Sequence, residues 1–208
     1  MTEQDNPTGL RARLVAAGVE LLALEGVHAL TLREIARQAG VSHGAPRRHF
    51  ATHAELLAAI ARHGFGELDA ALGLDGRDTG GTCADREPAE ARARLERLAR
   101  GYLAFAADRP GMFELMFRHD VLEGSGAELR STSLPLFDAL ARLVAVVRPP
   151  ADEGAAPSPA TVAAALWANL HGLAQLRAWG SLGLATGTDT LDPVLRATLD
   201  AHLGPVPR

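Results

Sequence analysis

The sequence predicts an all-α fold, and three observations support this fold class. Apolar residues recur at intervals of three and four positions through most of the chain, which is the spacing of one helix face. Capping residues stand before these segments, and glycines or prolines follow them. Period-two alternation, the pattern of a half-buried strand, is absent, and aromatic residues make up only 4% of the chain. We predict an N-terminal three-helix domain in residues 1–51 and a C-terminal helical bundle in residues 52–208.

The first two predicted helices have clear ends. The first covers residues 8–25 and is closed by Gly26. The second begins at Thr31, with Glu34 three positions later in a capping-box arrangement. Gly40 ends the second helix, because a residue without a β-carbon adopts the left-handed turn at little cost. The residues expected to face inward are Leu10, Leu14, Leu21 and Leu24 in the first helix and Leu32, Ile35, Ala36 and Ala39 in the second.

The third predicted helix is short and basic. Ser42 is its expected N-cap, and its outer face carries His43, Arg47 and Arg48. Two helices joined by an elbow of small residues, the second of them basic, are typical of a helix-turn-helix that reads DNA. A solvated, charged helix face is the simpler alternative, but it does not explain the cap, the elbow and the apolar pattern around these residues.

The charge distribution fits a local DNA-binding surface. The whole chain has a formal net charge of −4, which by itself does not suggest a nucleic-acid partner. Residues 31–62, however, carry five arginines against two glutamates, and three histidines there add potential positive charge. A basic patch on a mildly acidic protein suits DNA binding.

The bundle is predicted to begin with a long helix that joins it to the N-terminal three-helix domain, which we call the head. Thr52 is the expected cap of this helix, and Glu55 again stands three positions later. Further helices are expected from Pro88 onward and over residues 112–117, 133–147, 161–179 and 191–203. Between them we expect a loop at 73–85, a break at 108–111, a less regular stretch at 119–126 and a linker at 149–159.

The N-terminal part of the chain resembles the TetR family of bacterial one-component regulators. The positions that match the family pattern are Gly26, Thr31, Ile35, Ala36, Ala39, Gly40, Val41, Ser42, Ala45 and Phe50, followed by Glu55, Leu56 and Leu57. This signal is specific because the spacing holds across three predicted helices. The resemblance implies an N-terminal DNA-binding domain, an all-helical regulatory domain, a small-molecule effector and a dimer that binds a palindromic DNA operator.

The resemblance also implies roles for individual residues of the head. The start of the third helix enters the major groove in this family, so His43 and Gly44 are the candidates for reading bases. Thr31 and Arg33 are expected at the DNA backbone, where a helix N-terminus also favours phosphate. Arg48 could read guanine or bind phosphate. The complete predicted DNA-binding set is Thr31, Arg33, Ser42, His43, Gly44, Ala45, Arg47, Arg48, His49 and His53.

Two of these positions depart from the family pattern. Arg47 stands where an aromatic residue, usually tyrosine, is expected, and His53 stands where lysine is usual. Both family residues contact phosphate. Arg47 can do so with a permanent charge, whereas His53 can do so fully only when it is protonated. His49 and His53 are four residues apart, but the expected helix break at Thr52 and the absence of an HExxH motif argue against a metal pair.

The C-terminal region contains a candidate effector site and a candidate dimer interface. Residues 167–172, W-A-N-L-H-G, resemble the Trp-His-Gly signature of one TetR regulatory-domain subgroup. In that subgroup the region lines a ligand cavity and supports the dimer contact. Trp167, His171, Gln175 and Trp179 share one helix face, and Leu166, Leu170, Leu173 and Leu176 form a second. A helix that is apolar on two sides needs two neighbours, so we expect a homodimer through the last two helices.

A cluster of methionines and aromatic residues at 112–117 is a second candidate wall of the effector pocket, although ordinary core packing is the simpler interpretation. Arg118 and His119 could supply polar contacts to a ligand there. The complete predicted ligand-binding set is Tyr102, Phe105, Met112, Phe113, Met116, Phe117, Phe137, Trp167, His171 and Gln175.

Several classes of function find no support in the sequence. Cys83 is the single cysteine, which excludes an intrachain disulfide and a Cys-based zinc site and fits a reducing compartment. No signal peptide is visible, and the charge-free stretch 154–175 contains polar groups that argue against a membrane span. The chain also lacks a phosphate-binding loop, a nucleophile motif and paired carboxylates, so we expect no catalytic residue, metal or cofactor.

The sequence therefore predicts a cytoplasmic, dimeric, ligand-responsive transcriptional regulator, most simply a repressor, controlled by a small and largely apolar effector. A helical ligand-binding or adaptor protein with a degenerate DNA head is an alternative, motivated by Arg47 and His53. A helical enzyme acting on an apolar substrate is another. A bare structural bundle does not explain the basic third helix.

Overall fold

The computed structural model describes residues 7–74, 87–122, 126–148 and 157–205, and within these ranges all regular structure is helical. The helices are α1 (Pro7–Glu25), α2 (Leu32–Gln38), α3 (Pro46–His49), α4 (His53–Leu72), α5 (Pro88–Asp108), α6 (Pro110–Phe117), α7 (His119–Leu122), α8 (Gly126–Val147), α9 (Pro159–Ala178), α10 (Ser181–Thr186) and α11 (Asp192–Leu203). A 3₁₀ turn, Val27–Ala29, connects α1 to the residues before α2. The all-α prediction is confirmed.

The helices group into two compact units. The first comprises residues 1–67 and 108–133, and the second comprises residues 68–107 and 134–208. These packing units do not coincide with the predicted domains 1–51 and 52–208, because α6 packs against α1 in the first unit. The predicted domains divide the chain by function, not by packing, and this division stays a prediction.

The core of the first unit begins on α1. Leu14 and Leu21 are buried as predicted, but the exposed fraction of Leu24 is 77%, so its predicted inward position is wrong. Leu22 is buried instead. Residues two apart point about 200° away from each other on a helix, and α6 covers the side of α1 that carries Leu22.

Three glycines allow α1, α4 and α6 to approach one another closely. A methyl group at Gly18 of α1 would lie too close to the side chain of Ile60 on α4, and one at Gly64 of α4 would lie 2.5 Å from the sulfur of Met112 on α6. A methyl group at Gly111 of α6 would in turn lie 2.8 Å from the carbonyl oxygen of Leu22 on α1. Each helix thus supplies one glycine to its contact with the next, and the three contacts form a closed ring.

The first turn of α4 is capped as the sequence predicts. The hydroxyl of Thr52 accepts a hydrogen bond from the Glu55 amide at 3.1 Å. The carboxylate of Glu55 reaches back and accepts from the Ala51 amide at 2.8 Å. The amides of Ala51 and Glu55, which have no backbone partner at the start of a helix, are therefore hydrogen-bonded.

In the second unit, α9 packs against α10 and α11. Leu166, Leu170 and Leu173 are buried, whereas the exposed fraction of Leu176 is 41%. The predicted second apolar face is therefore covered except at its C-terminal end. The helix α10 was not predicted. It lies between Gly180 and Gly187, both of which have positive φ angles and close its ends.

The end of α11 is held by one arginine of α5 and by another that follows α8. Arg92 of α5 donates to the carbonyl oxygen of Gly204 and to the carboxylate of Asp200. Arg148, after α8, donates to the carbonyl oxygen of His202 at 2.8 Å. These cations satisfy carbonyls that have no partner within the helix and interact favourably with its negative end.

Several predicted boundaries need correction. The helix expected from residue 133 begins at Gly126 and contains Pro135, and part of the stretch 119–126 is helical as α7. Residues 75–86 and 149–156 lie outside the described residues, and with them Cys83 and most of the predicted loop 73–85 and linker 149–159. Among the described helices, none is long and apolar enough to cross a membrane.

Candidate DNA-binding head and effector region

The start of α2 is fixed by Thr31. Its hydroxyl accepts a hydrogen bond from the Glu34 amide at 3.2 Å, so the predicted N-cap is confirmed. The second half of the predicted capping box does not form, because the carboxylate of Glu34 binds Arg37 instead. This hydrogen bond with Arg37 lowers the pKa of Glu34. Gly40 ends the helix with a φ of 67°, as expected for the left-handed turn.

The third helix starts later than predicted. Regular α-helix begins at Pro46, and the Ser42 side chain makes no cap. The carbonyl oxygen of Ser42 instead accepts from the Ala45 amide at 2.9 Å, so residues 42–45 form a tight turn. Pro46 suits the first helical position because it has no amide hydrogen to leave unsatisfied. His43 and Gly44 therefore lie in the turn before α3, where both are exposed.

The arginines of the head point into solvent. Arg33, Arg47 and Arg48 are exposed, and within the described ranges they form no ion pair. Ala45 differs from the rest of the predicted DNA-binding set, because only 8% of it is exposed and its methyl group belongs to the core of the head. The predicted cationic surface thus exists, with Ala45 as part of its support.

The two histidines of the supposed metal pair have separate surroundings. The Nε2 atom of His53 lies 2.6 Å from the carbonyl oxygen of Leu30, to which it donates, so one ring nitrogen is committed to the backbone just before α2. His49 is half-buried at the end of α3. The described residues contain no group of three histidine, cysteine or carboxylate side chains that could hold a metal ion.

Two functional candidates were missed by the sequence interpretation. Arg11 of α1 donates from Nη1 to the carbonyl oxygen of His49 at 3.2 Å, and its guanidinium lies 4.4 Å from the ring centroid of Phe50. Arg13 donates from Nη2 to the carbonyl oxygen of Ala39 at 2.8 Å. In the sequence, these arginines are indistinguishable from solvated residues on the outer face of a helix.

A polar cluster in the second unit contains three residues of the predicted ligand-binding set. The indole Nε1 of Trp167 donates to the Tyr102 hydroxyl at 3.2 Å, and this hydroxyl lies 3.0 Å from Nδ1 of His171. If the hydroxyl donates its single hydrogen to Nδ1, the proton of the neutral imidazole sits on Nε2. The rings of Trp167 and His171 also lie side by side on α9, with centroids 6.1 Å apart.

Burial determines the ionisation of this cluster. Desolvation raises the pKa of Tyr102 far above its ordinary value, opposed by the hydrogen bond from Trp167. Desolvation also lowers the pKa of His171. Both groups are therefore neutral at pH 7, and the cluster presents hydrogen-bonding groups without charge.

The remaining predicted ligand-binding residues are divided between the two units. Phe105 is buried in the second unit, where Phe137 and Gln175 are half-buried. Met112, Phe113, Met116 and Phe117 belong to the first unit. There the ring of Phe117 packs edge-on against Phe65, at a centroid distance of 5.7 Å, and against Phe113 at 5.1 Å. Met112, Phe113 and Met116 are buried, so the cluster contributes to the core of the first unit. Its contact with an effector stays a prediction.

The polar residues proposed beside that cluster are also placed. Arg118 forms an ion pair with Asp120, with Nε 2.8 Å from the carboxylate, and a second with Glu114. The side chain of His119 lies outside the described part of the structure. A cavity of about 200 Å³ in the first unit is lined by Val19, Leu22, Ala23, Gly26 and residues 108–112. Met112 is its one member from the predicted set.

Two family sequence models match the chain. The model described as "Bacterial regulatory proteins, tetR family" matches residues 14–60, which include α2 and α3. The model described as "Tetracyclin repressor-like, C-terminal domain" matches residues 95–202. No curated protein is recognisably similar in sequence.

Solved structures agree in fold. A protein with unknown function from Rhodococcus sp. RHA1 has a TM-score of 0.70 and 31% identity, with 93% of each chain covered. The multidrug binding protein EbrR complexed with imidazole has a TM-score of 0.61 and 23% identity over 100% of this chain and 95% of its own. A TetR-family member from Streptomyces coelicolor A3 has a TM-score of 0.60 and 19% identity over 93% of this chain and 98% of its own.

The fold and the head define a transcriptional regulator of the helix-turn-helix class, not an enzyme. Since the C-terminal family model alone spans more than half of the sequence, the chain belongs to the TetR family. The predicted resemblance is confirmed, and residues 95–202 correspond to the ligand-binding region of the family.

Proposed function

We propose that this TetR-family regulator is a homodimeric repressor that binds a palindromic DNA operator through two copies of the α2–α3 head and responds to a small, largely apolar effector. The observation that carries the proposal is the exposed arginine set of the head: Arg33, Arg47 and Arg48 lack ion-pair partners among the described residues. Exposed cations without an ion-pair partner are available to phosphates and guanine edges.

The surface of α9 supports the homodimer. Ala164, Ala165 and Ala168 are exposed small residues, and a methyl group at Gly172 would meet no atom within 4 Å. Glycine inside a helix costs about 1 kcal/mol relative to alanine, and no neighbour among the described residues requires it here. A second copy packed closely against this face would explain the small side chains. It would also cover Trp179, 71% of which is exposed.

The Trp167–Tyr102–His171 cluster supports an effector without a large net charge. Its members are neutral, and the indole and imidazole rings, whose planes are tilted by 56° to each other, offer aromatic surface beside hydrogen-bonding groups. EbrR, which shares the fold, is a multidrug binding protein and has been solved with ethidium. The effector then shifts the DNA-binding equilibrium by its differential affinity for two conformations of the dimer.

The decisive experiment is selection of bound duplexes from a random DNA pool, followed by titration of the selected sequence at several salt concentrations. We expect a palindrome whose half-sites are centred about 34–36 Å apart. Its binding constant should fall steeply with salt, because each phosphate contact contributes about −0.9 to the log–log slope. Absent or salt-insensitive binding would favour the alternative of a helical adaptor with a degenerate head. Because bacterial DNA lies in the cytoplasm, the proposed binding of an operator implies a cytoplasmic protein.

A further inference from the structure

We infer that Arg11 and Arg13 of α1 are positioning residues that hold the two helices of the DNA-reading head, because each guanidinium donates to a backbone carbonyl of that head. This inference rests on the proposed function, since it assigns a role in operator recognition. It concerns two residues whose side chains reach the C-terminal ends of α2 and α3.

The helix α3 is too short to stabilise itself. It contains four residues, and its Pro46 carbonyl accepts the Phe50 amide at 2.9 Å. No side chain caps its start. Isolated helices need roughly 12–15 residues to persist in water, so the conformation of α3 must be imposed by its neighbours.

Arg11 supplies such a contact at the end of α3. It donates to the carbonyl of His49, the last residue of the helix, and its guanidinium covers the ring of Phe50, which is 1% exposed. A cation at a helix C-terminus is favourable both as a donor and through the helix dipole. A cation above an aromatic ring adds a further attraction.

Arg13 makes the corresponding contact with α2. It donates to the carbonyl of Ala39, the C-cap residue beside the glycine turn. The two arginines are two positions apart on one helix, and each binds the end of a different helix of the head. They therefore fix the orientation of α3 relative to α2, on which reading of the major groove depends.

The test compares Arg11→Met, Arg11→Lys and Arg33→Met with the wild type, using the selected operator and a scrambled duplex of equal length. Arg11→Met should weaken operator binding about tenfold, because both a charge-assisted hydrogen bond and a cation–π contact are lost. Binding to scrambled DNA and the salt slope should stay unchanged. Arg11→Lys should restore most of the affinity, since ammonium can donate to one carbonyl and lie above the ring. Arg33→Met is the matched control for a phosphate contact. It should weaken binding to both duplexes, and it should reduce the salt slope by about 0.9 per subunit.

Amide hydrogen exchange provides a second measurement that needs no DNA. The amide of Phe50 donates a hydrogen bond to the carbonyl oxygen of Pro46, and the amide of Arg48 donates to that of Ala45. Both amides should exchange several-fold faster in Arg11→Met, while the amides of α4 keep their rates. Unchanged exchange, or a loss of operator and scrambled binding together with a smaller salt slope, would overturn the inference. If the wild type selects no duplex, the proposed function fails, and the exchange rates still decide the role of Arg11.

Discussion

Arginine supplies every permanent positive charge on the side chains of this protein, because the sequence contains no lysine. A guanidinium remains charged at any pH that the fold survives, and its planar donors match both phosphate and the guanine edge. The cationic surface formed by Arg33, Arg47 and Arg48 therefore keeps its charge as pH changes, apart from the contribution of nearby histidines.

Replacing Arg48 by alanine tests direct base reading. We expect Arg48→Ala to weaken operator binding by about 1–3 kcal/mol if the guanidinium contacts a base in a bidentate manner. Fluorescence anisotropy at fixed salt measures the change, and Arg97→Ala, which removes an exposed arginine from α5, is the control. An unchanged dissociation constant would rule out this role for Arg48.

The lowered pKa of His171 predicts a specific pH dependence of stability. The unfolded chain binds a proton to this residue near pH 6.5, whereas the folded chain does so only at lower pH because of desolvation. The contribution of neutral His171 to the free energy of unfolding is therefore fully present above about pH 6.5. It is lost as the pH falls toward the lowered pKa of the folded state. Urea unfolding between pH 5 and 8 measures this effect. On the acid side, the free energy of unfolding should decline more steeply for the wild type than for His171→Gln. Parallel curves would contradict the assignment.

At the level of helices and turns, caps and glycines were predictable because they act through neighbours in sequence. Thr31, Gly40 and Thr52 perform the roles that their spacing indicates. The start of α3 was placed too early because Ser42 is a good capping residue, whereas the proline four positions later determines where the helix begins.

Contacts between distant residues explain what the sequence did not reveal. The partners of Arg11 and Arg13 lie 38 and 26 positions away, and no local pattern specifies them. The exposure of Leu24 likewise depends on which side of α1 is covered by α6. The Trp167–His171 face was predictable from its spacing, but its hydrogen-bond partner Tyr102 comes from another helix, 65 positions before Trp167.

The ring of glycines in the first unit gives a graded prediction for helix packing. Gly111→Ala should be the most destabilising change, by roughly 1–3 kcal/mol, because the new methyl group meets the backbone oxygen of Leu22, which cannot move independently of α1. Gly64→Ala should cost less, since the atoms it meets belong to the flexible side chains of Met112 and Met116.

Gly66→Ala is the matched control on α4, because a methyl group there meets nothing within 4 Å. It should stabilise the protein by about 0.5–1 kcal/mol through helix propensity. Urea unfolding ranks the three variants, and equal effects at Gly111 and Gly66 would show that close packing is not what these glycines provide.

For the whole molecule, the surface of α9 predicts how the assembly responds to added charge. Ala168→Glu places a carboxylate in the proposed dimer interface, next to its symmetry copy, and should raise the dimer dissociation constant by at least about tenfold. Sedimentation velocity measures the change. Ala104→Glu, on an exposed position of α5, should leave assembly intact, and a dimer that tolerates Ala168→Glu would have to use another face.

Both tryptophans of the protein, Trp167 and Trp179, lie on or at the end of α9. Intrinsic fluorescence excited at the red edge of protein absorption therefore reports on this one helix and on little else. Trp179 should emit at long wavelength while water surrounds it and shift to the blue when a partner covers it, whereas Trp167 senses changes beside the imidazole of His171. The chain thus carries two built-in optical probes, which distinguish association from effector binding without any label.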